Sequence, residues 1–167
     1  MAKLLFRVRR NKQGWRKLSR IERRLFLQAF VLMPLMIPGL RLLGLRRLQR
    51  LLMNGMPSEM GSGRKKFNGK DEVLAECQNI TGMVNKAAWH NPIFSTCLHR
   101  SLVLWLLLGR EGIAGDLRLG AQKTDGQFDA HAWVEYQGIV LNDTQDVQQR
   151  YAVFGAPVTE TSQFHSH

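Results

Sequence analysis

The segment from residue 95 to residue 108 constrains the fold most, because it is largely apolar and continuous. An apolar run of this length is typical of a buried helix and is too long for a typical buried strand. We expect Ser95 or Thr96 to cap the start of this helix, and Gly109 or Gly112 to end it. The fold must therefore bury a long apolar helix.

Cys97 is expected in the first turn of that helix. There, free backbone N–H groups and the positive end of the helix dipole stabilise a thiolate. Because the thiolate is the reactive form of cysteine, this position suits a nucleophile. Taken alone, however, a cysteine on an apolar helix is most often a small core residue.

A β-hairpin is predicted further along the chain. Residues 128–135 alternate between apolar and polar side chains, and residues 139–143 form a second strand. Residues 136–138 lie between the two strands. A three-residue loop needs a left-handed residue at its third position, which Gly138 supplies.

This loop length would place His131 directly opposite Asp143 and within reach of it. A carboxylate beside an imidazole fixes its tautomer and leaves the other ring nitrogen free to act on Cys97. A two-residue loop would shift the register by one residue and weaken the pairing. Taken singly, each of the three residues is most simply explained by an ordinary structural role. Taken together, they favour a catalytic site.

Five short segments of the chain resemble the B2 proteins of lasso peptide biosynthesis. These segments are Cys97–Trp105, Gly112–Ile113, Leu117–Gly120, Ala130–Glu135 and Leu141–Asp143. The B2 proteins are transglutaminase-like cysteine proteases that remove the leader from a ribosomally made precursor peptide. The resemblance is looser in the N-terminal third, where the family also has a helical segment rich in arginine and leucine.

The resemblance implies an α+β fold with a transglutaminase-like or papain-like core, in which the cysteine-bearing helix packs on a small antiparallel sheet. A basic helical segment precedes this core. By motif position, Cys97 is the nucleophile, His131 the general base and Asp143 its orienting partner. The implied partners are the precursor peptide, a separate leader-recognition protein of the B1 type and an ATP-dependent macrolactam synthetase.

Such a triad cleaves a peptide bond through an acyl-enzyme. The backbone N–H of Cys97 would contribute to an oxyanion hole, and Asn79 and Asn91 are candidates for a second donor. The same parts could transfer an acyl group to an amine, as transglutaminases do. A non-catalytic transglutaminase-like scaffold that binds partners is the alternative from a different class.

Charge is distributed unevenly along the 167 residues, whose net charge is +11. Residues 1–66 hold 17 of the 24 Lys and Arg and 2 of the 13 Asp and Glu, which gives 17 − 2 = +15. Residues 67–167 hold the other 7 Lys and Arg and the other 11 Asp and Glu, which gives 7 − 11 = −4. A basic front half therefore precedes a mildly acidic half that carries the predicted triad.

The basic front half is predicted to be helical. Ser19 and Glu22 form a capping-box pattern before an apolar run. Pro34 and Pro38 are expected to interrupt that helix. A second helix, from about Leu40 to Met53, would present the arginines of the segment; these are Arg41, Arg46, Arg47 and Arg50.

Three functions compete for this segment: docking of partner proteins, contact with an anionic membrane surface, and nucleic-acid binding. The plain alternative is a solvated basic face of a small helical cap packed on the protease core. We favour such a cap that also docks partners through the four arginines. The apolar stretch Leu25–Leu40 is shorter than the ~20 residues that span a bilayer. No recognition motif for nucleic acid is present.

The remaining sequence completes the domain organisation. We expect an N-terminal segment over 1–54, a linker over 55–69, the protease core over 70–158 and a mobile tail over 159–167. Within the core, a helix is expected from Asp71 to about Lys86, with Cys77 as a buried thiol, and a strand from Ile113 to Ala121. Lys123–Gly126 carries a turn signal.

Cofactors and metals are not expected. No Cys-x-x-Cys, His-Glu-x-x-His or phosphate-binding glycine loop occurs in the sequence. Two cysteines do not indicate a disulfide framework, and a working thiol fits a reducing cytoplasm.

Overall fold

The computed structural model describes residues 18–54, 67, 69–91, 96–124 and 126–154. The predicted tail and most of the predicted linker lie outside these residues. The elements, in chain order, are α1 (Arg20–Asn54), α2 (Lys70–His90), α3 (Cys97–Arg110), β1 (Asp116–Thr124), β2 (Gln127–Tyr136), β3 (Ile139–Val140), α4 (Val147–Arg150) and β4 (Ala152–Val153). The strands form an antiparallel sheet in the order β3-β2-β1-β4. The predicted α+β architecture is confirmed.

The buried apolar helix is α3. Thr96 is its N-cap: the Thr96 hydroxyl accepts from the His99 backbone N–H, and the His99 ring accepts from the Thr96 N–H. All side chains from Ser101 to Leu108 are buried. They join α1, α2 and the inner sheet residues Leu117 and Val134 in one hydrophobic cluster. Helix α3 thus forms the centre of the core, with Cys97 as its first residue.

Helix α1 begins as predicted but continues further. The Ser19 N–H donates to Glu22 at 2.7 Å and the Glu22 N–H donates to the Ser19 hydroxyl at 3.2 Å, which is a complete capping box. Pro34 and Pro38 do not interrupt the helix, so that prediction was wrong. The break lies at Gly44, whose φ of 68° is in the left-handed region that glycine tolerates best.

Asn91 explains how α1 tolerates Pro34. A proline has no N–H, so it leaves the carbonyl four residues earlier without its helical donor. Here that carbonyl belongs to Phe30, and the Asn91 side-chain amide donates to it at 3.1 Å from the end of α2. A tertiary hydrogen bond therefore replaces the missing helical one.

We predict that Asn91→Ala destabilises the fold by about 1–2 kcal/mol, because it leaves a part-buried carbonyl without a donor. In a Pro34→Ala background the helix regains its own N–H, so the cost of Asn91→Ala should shrink toward zero. Denaturant unfolding of the four proteins measures this coupling. Equal costs in the two backgrounds would contradict the assignment.

Helix α1 has two apolar faces. One face, which includes Leu25, Phe26 and Met33, is buried against the core. The other carries Leu27 and Val31, which are more than half exposed. By length and composition alone, the span Arg20–Leu52 is long and apolar enough to cross a membrane, a test that the core helix of a soluble protein also passes. One face of α1 packs on α2 and α3.

Strands β1 and β2 pair along their whole length, with Gly120 opposite His131. Strand β1 begins at Asp116 rather than Ile113 and continues to Thr124, so the predicted turn is shorter than expected. Asp125, in that turn, lies outside the described residues. Strand β4, which was not predicted, pairs with β1 on its other side.

The hairpin between β2 and β3 has a two-residue loop, not the predicted three-residue loop. Tyr136 pairs with Ile139, and both Gln137 (φ 50°) and Gly138 (φ 81°) have positive φ. Two consecutive positive φ values define the mirror-image turn that matches the twist of a hairpin. The register is shifted by one residue, and β3 ends at Val140. The predicted direct cross-strand pairing of His131 with Asp143 was therefore wrong.

Candidate active site

The structure nevertheless brings Cys97, His131 and Asp143 together. His131 Nε2 forms a hydrogen bond with Asp143 Oδ2, and the His131 ring also bonds to the Cys97 thiol. Because Nε2 is engaged, Nδ1 is the ring nitrogen available to sulfur. The side chains of His131 and Asp143 are only 21% and 17% exposed. The imidazole therefore bridges a thiol and a carboxylate at a partly buried site.

Asp143 reaches His131 because the chain leaves the sheet after β3. The Leu141 N–H donates to the Val134 carbonyl at 2.9 Å, but the Val134 N–H donates to the Asn142 side chain at 2.8 Å. The Asn142 side chain thus takes the place of a backbone partner. The following bend turns Asp143 toward His131, so the contact does not depend on strand register.

Ser101 and Asn142 attach α3 to the edge of β2. The Ser101 hydroxyl donates to the Ala132 carbonyl at 2.9 Å, and the Asn142 amide donates to Ser101 Oγ at 2.9 Å. Ser101 lies one helical turn after Cys97 on the same side of α3. Through Ala132, it holds the helix beside the residue that follows His131. Sequence reasoning missed this pair; a buried serine on an otherwise apolar helix face was the available signal.

The segment after Asp143 encloses the His131 ring. The Tyr151 ring stacks on it with centroids 4.9 Å apart, and the Tyr151 hydroxyl donates to Asp129 at 2.8 Å. Gly120 makes room for this packing, since a Cβ there would lie 2.9 Å from Tyr151 Cβ and 3.0 Å from Trp133. Gly120 and Trp133 lie in segments that carry the family resemblance but were assigned no role there, and Tyr151 and its contact with Asp129 were not predicted.

Asp143 has further partners that keep it ionised. The Arg150 guanidinium donates to Asp143 Oδ1 at 3.2 Å, and the Thr144 N–H donates to the same oxygen at 2.7 Å. Burial raises the pKa of Asp143, but the bonds to His131 and Thr144 outweigh it, and the pKa is lowered overall. The carboxylate is therefore charged where it faces the imidazole.

The thiol and the imidazole shift each other's titration. The Asp143 and Cys97 hydrogen bonds raise the pKa of His131 to about 9, against the opposing effect of burial. Burial raises the pKa of Cys97, but bonds from His131 and from the Ala132 backbone N–H, with the nearby imidazolium charge, lower it overall. These shifts favour a thiolate beside an imidazolium, the resting pair that a cysteine nucleophile requires.

Other predicted residues are placed elsewhere. Cys77 is fully buried in the helical cluster, and burial raises its pKa to about 11, as expected for a core thiol. Asn91 is engaged with Phe30, and Asn79 is part-buried within α2. The arginines predicted to bind partners are exposed on α1; these are Arg41, Arg46, Arg47 and Arg50.

Metal chemistry has no visible site in the described part of the chain. Within those residues, no group of three or more His, Cys, Asp or Glu side chains is arranged to hold an ion.

A cysteine at the start of a core helix, beside a histidine on an antiparallel sheet and an aspartate just beyond that sheet, is an arrangement suited to thiol-dependent acyl chemistry. The chain belongs to the transglutaminase-like superfamily, whose sequence profile matches residues 40–155. Cysteine protease and acyltransferase activities are common in this superfamily. No curated protein and no solved structure matches the chain.

Proposed function

We propose that this protein is a cysteine peptidase that removes the leader from a ribosomally made lasso precursor peptide. The observation that carries the proposal is the His131 ring, which bonds to both Cys97 and Asp143. The resemblance of the segments around these residues to the B2 proteins supports the choice of substrate. A reducing cytoplasm is the compartment that suits the two free thiols.

The proposed reaction follows from the geometry of the three side chains. The Cys97 thiolate attacks the scissile carbonyl, and the oxyanion forms near the first backbone N–H groups of α3, which have no partner within the helix. The carbon–nitrogen bond then breaks as the His131 imidazolium gives its proton to the leaving amine. Water, deprotonated by His131, hydrolyses the thioester and restores the thiol.

Asp143 has an orienting role in this scheme. Its bond to Nε2 fixes the tautomer and directs Nδ1 toward sulfur. Arg150 and Thr144 hold the other carboxylate oxygen, so the aspartate itself has little freedom to rotate. This arrangement supports catalysis more than a scaffold role, because a scaffold has no need of a lowered thiol pKa.

Transfer of the acyl group to an amine is the second candidate activity. The same superfamily includes acyltransferases, and the first chemical step would be identical. The two activities differ only in whether water or an amine attacks the thioester. Mass spectrometry of the products separates them, because hydrolysis gives a free carboxylate and transfer gives an amide.

The proposal is tested with candidate lasso precursor peptides, each presented with a candidate leader-recognition protein. We expect two products whose masses sum to the precursor plus one water, in a reaction that requires Cys97. The absence of cleavage with every candidate precursor and recognition protein would contradict the peptidase assignment. Products containing an added amine would replace it with acyl transfer.

We further propose that the exposed arginines of α1 dock the leader-recognition protein or the precursor, and that the macrolactam synthetase acts on the product. Seven arginines and one glutamate lie between Arg20 and Asn54, which gives this helix 7 − 1 = +6. A surface of one sign attracts an acidic partner and speeds association at low salt.

Replacing Arg46, Arg47 and Arg50 together by glutamate is predicted to weaken partner binding by about tenfold or more at low salt. The rate of Cys97 alkylation should stay unchanged, because these side chains lie on α1. Binding is measured by calorimetry at two salt concentrations. Unaltered affinity at low salt would remove docking and favour a membrane-surface role, which liposome flotation would test.

A further inference from the structure

The two edges of β2 are paired very differently. Strand β1 pairs with β2 along its whole length, whereas β3 pairs only with Glu135 and Tyr136. In an antiparallel pair, alternate residues direct their N–H and C=O groups to the same side. Because Tyr136 and Val134 bond toward β3, the even-numbered residues of β2 face this edge.

Among the described residues, the outward backbone groups of the even-numbered positions have hydrogen-bond partners from Tyr136 back to Ala132, at the candidate active site. Val134 bonds to Leu141 and Asn142. The Ala132 carbonyl accepts from Ser101, and its N–H donates to the Cys97 sulfur. The last satisfied position on this edge is therefore beside the thiol.

Beyond the thiol, this edge is unpaired within the described part of the chain. Ala130 and Phe128 are the next two residues that face it, and no described residue bonds to their outward N–H or C=O groups. Both side chains are exposed, Phe128 by 80%. Natural proteins usually block such an edge with a bulge, a proline or a covering segment. Here it begins two residues, about 7 Å, from the residue that contacts Cys97.

We propose that the open edge of β2 at Ala130 and Phe128 binds the peptide substrate, which adds to the sheet as an extended strand. Backbone hydrogen bonds to Ala130 align the peptide so that its next carbonyl lies at Cys97. Recognition of this kind uses the peptide main chain, so it accepts many side chains. Specificity then comes from the separate leader-recognition protein. This inference deepens the proposed peptidase function and depends on it.

The variant Ala130→Pro tests the unpaired edge of β2 selectively. Proline removes the N–H of Ala130, which faces the open edge, and leaves the ladder to β1 intact because odd-numbered residues form it. The matched control is Ala130→Ser, which keeps the N–H and nearly the same volume. Iodoacetamide serves as a small reagent that reports on Cys97 without needing the strand edge.

The test compares iodoacetamide with a mixture of dipeptidyl acyloxymethyl ketones that carry varied side chains. The Cys97 thiolate forms a sulfur–carbon bond to the ketone methylene, and the carboxylate leaves with the electron pair. We expect Ala130→Pro to slow labelling by the peptidyl ketones about tenfold, through loss of a main-chain hydrogen bond. Iodoacetamide labelling should change less than twofold, and Ala130→Ser should match the wild type in both.

The outcomes are distinguishable. Equal labelling of Ala130→Pro and wild type by the peptidyl ketones would overturn strand addition. If Ala130→Pro also loses iodoacetamide reactivity, the variant has disturbed Cys97 itself and cannot test the edge. The test is then made on the wild-type protein, with peptidyl ketones that are N-methylated at the amide nearest the ketone. Those should react about tenfold more slowly, and equal rates would overturn the inference. A wild-type Cys97 that is unreactive toward both reagents would instead contradict the peptidase function itself.

Discussion

Cys97→Ala should abolish precursor cleavage, with a loss of about 10⁴-fold or more, whereas Cys77→Ala should keep most of the activity. Cys97 is the first residue of α3, where its sulfur receives hydrogen bonds from His131 and from the Ala132 N–H. Cys77 is fully buried among apolar side chains and its pKa is raised to about 11. Of the two thiols, Cys97 is the one that is partly exposed and lies beside a histidine.

The pH dependence of alkylation gives an independent measurement. The pKa of Cys97 is lowered from 9.0, so thiolate should accumulate as pH rises through a midpoint below 9. Cys77 should stay slow across this range because its pKa is raised and its side chain is buried. Peptide mapping after iodoacetamide treatment assigns each rate. If Cys97→Ala keeps its activity, or if both thiols react slowly, the non-catalytic scaffold becomes the better interpretation of this protein.

The position of Cys97 was predictable because local rules determine it. A capping residue before a long apolar run predicts a buried helix, and both Thr96 and the apolar run behave as expected. The capping box at Ser19 was predictable for the same reason. The prolines of α1 were misjudged, because the hydrogen bond that compensates for Pro34 comes from Asn91. That donor is distant in sequence, so propensity alone could not reveal it.

The contact between His131 and Asp143 was predicted from a strand register that the structure does not have. The loop contains only Gln137 and Gly138, because Gln137 adopts a left-handed conformation that sequence rules assign mainly to glycine, asparagine and aspartate. The contact survives because Asn142 ends the ladder and redirects the chain. A pattern of alternating residues can identify the participants of a site without identifying the backbone path that unites them.

The sequence analysis did not identify the residues that support the site. Ser101, Asn142 and Tyr151 come from three separate elements and act through contacts with α3, β2 and the His131 ring. Ser101 and Asn142 lie in segments that carry the family resemblance, but the sequence assigned neither of them a role. Their roles depend on how α3 meets the edge of β2, which is a tertiary property that local periodicity does not encode.

His131→Ala should be nearly as damaging as Cys97→Ala, within about tenfold, while Asp143→Asn should retain about 10² times more activity than His131→Ala. The first change removes the base and proton donor. The second removes only the charge that orients the imidazole and stabilises its protonated form. Because the three residues act as a unit, double variants should be little worse than the most damaging single variant.

The pH profiles should separate these two roles. Burial raises the pKa of Cys97, and the hydrogen bond from His131 is the largest effect that lowers it. His131→Ala removes that effect, so the pKa of Cys97 should rise and its alkylation should require a higher pH. Asp143 is the largest cause of the raised His131 pKa of about 9. Asp143→Asn should therefore lower the pH at which the imidazolium is lost, and the alkaline limit of cleavage should fall with it. An unchanged alkaline limit in Asp143→Asn, or full activity in His131→Ala, would show that another base operates.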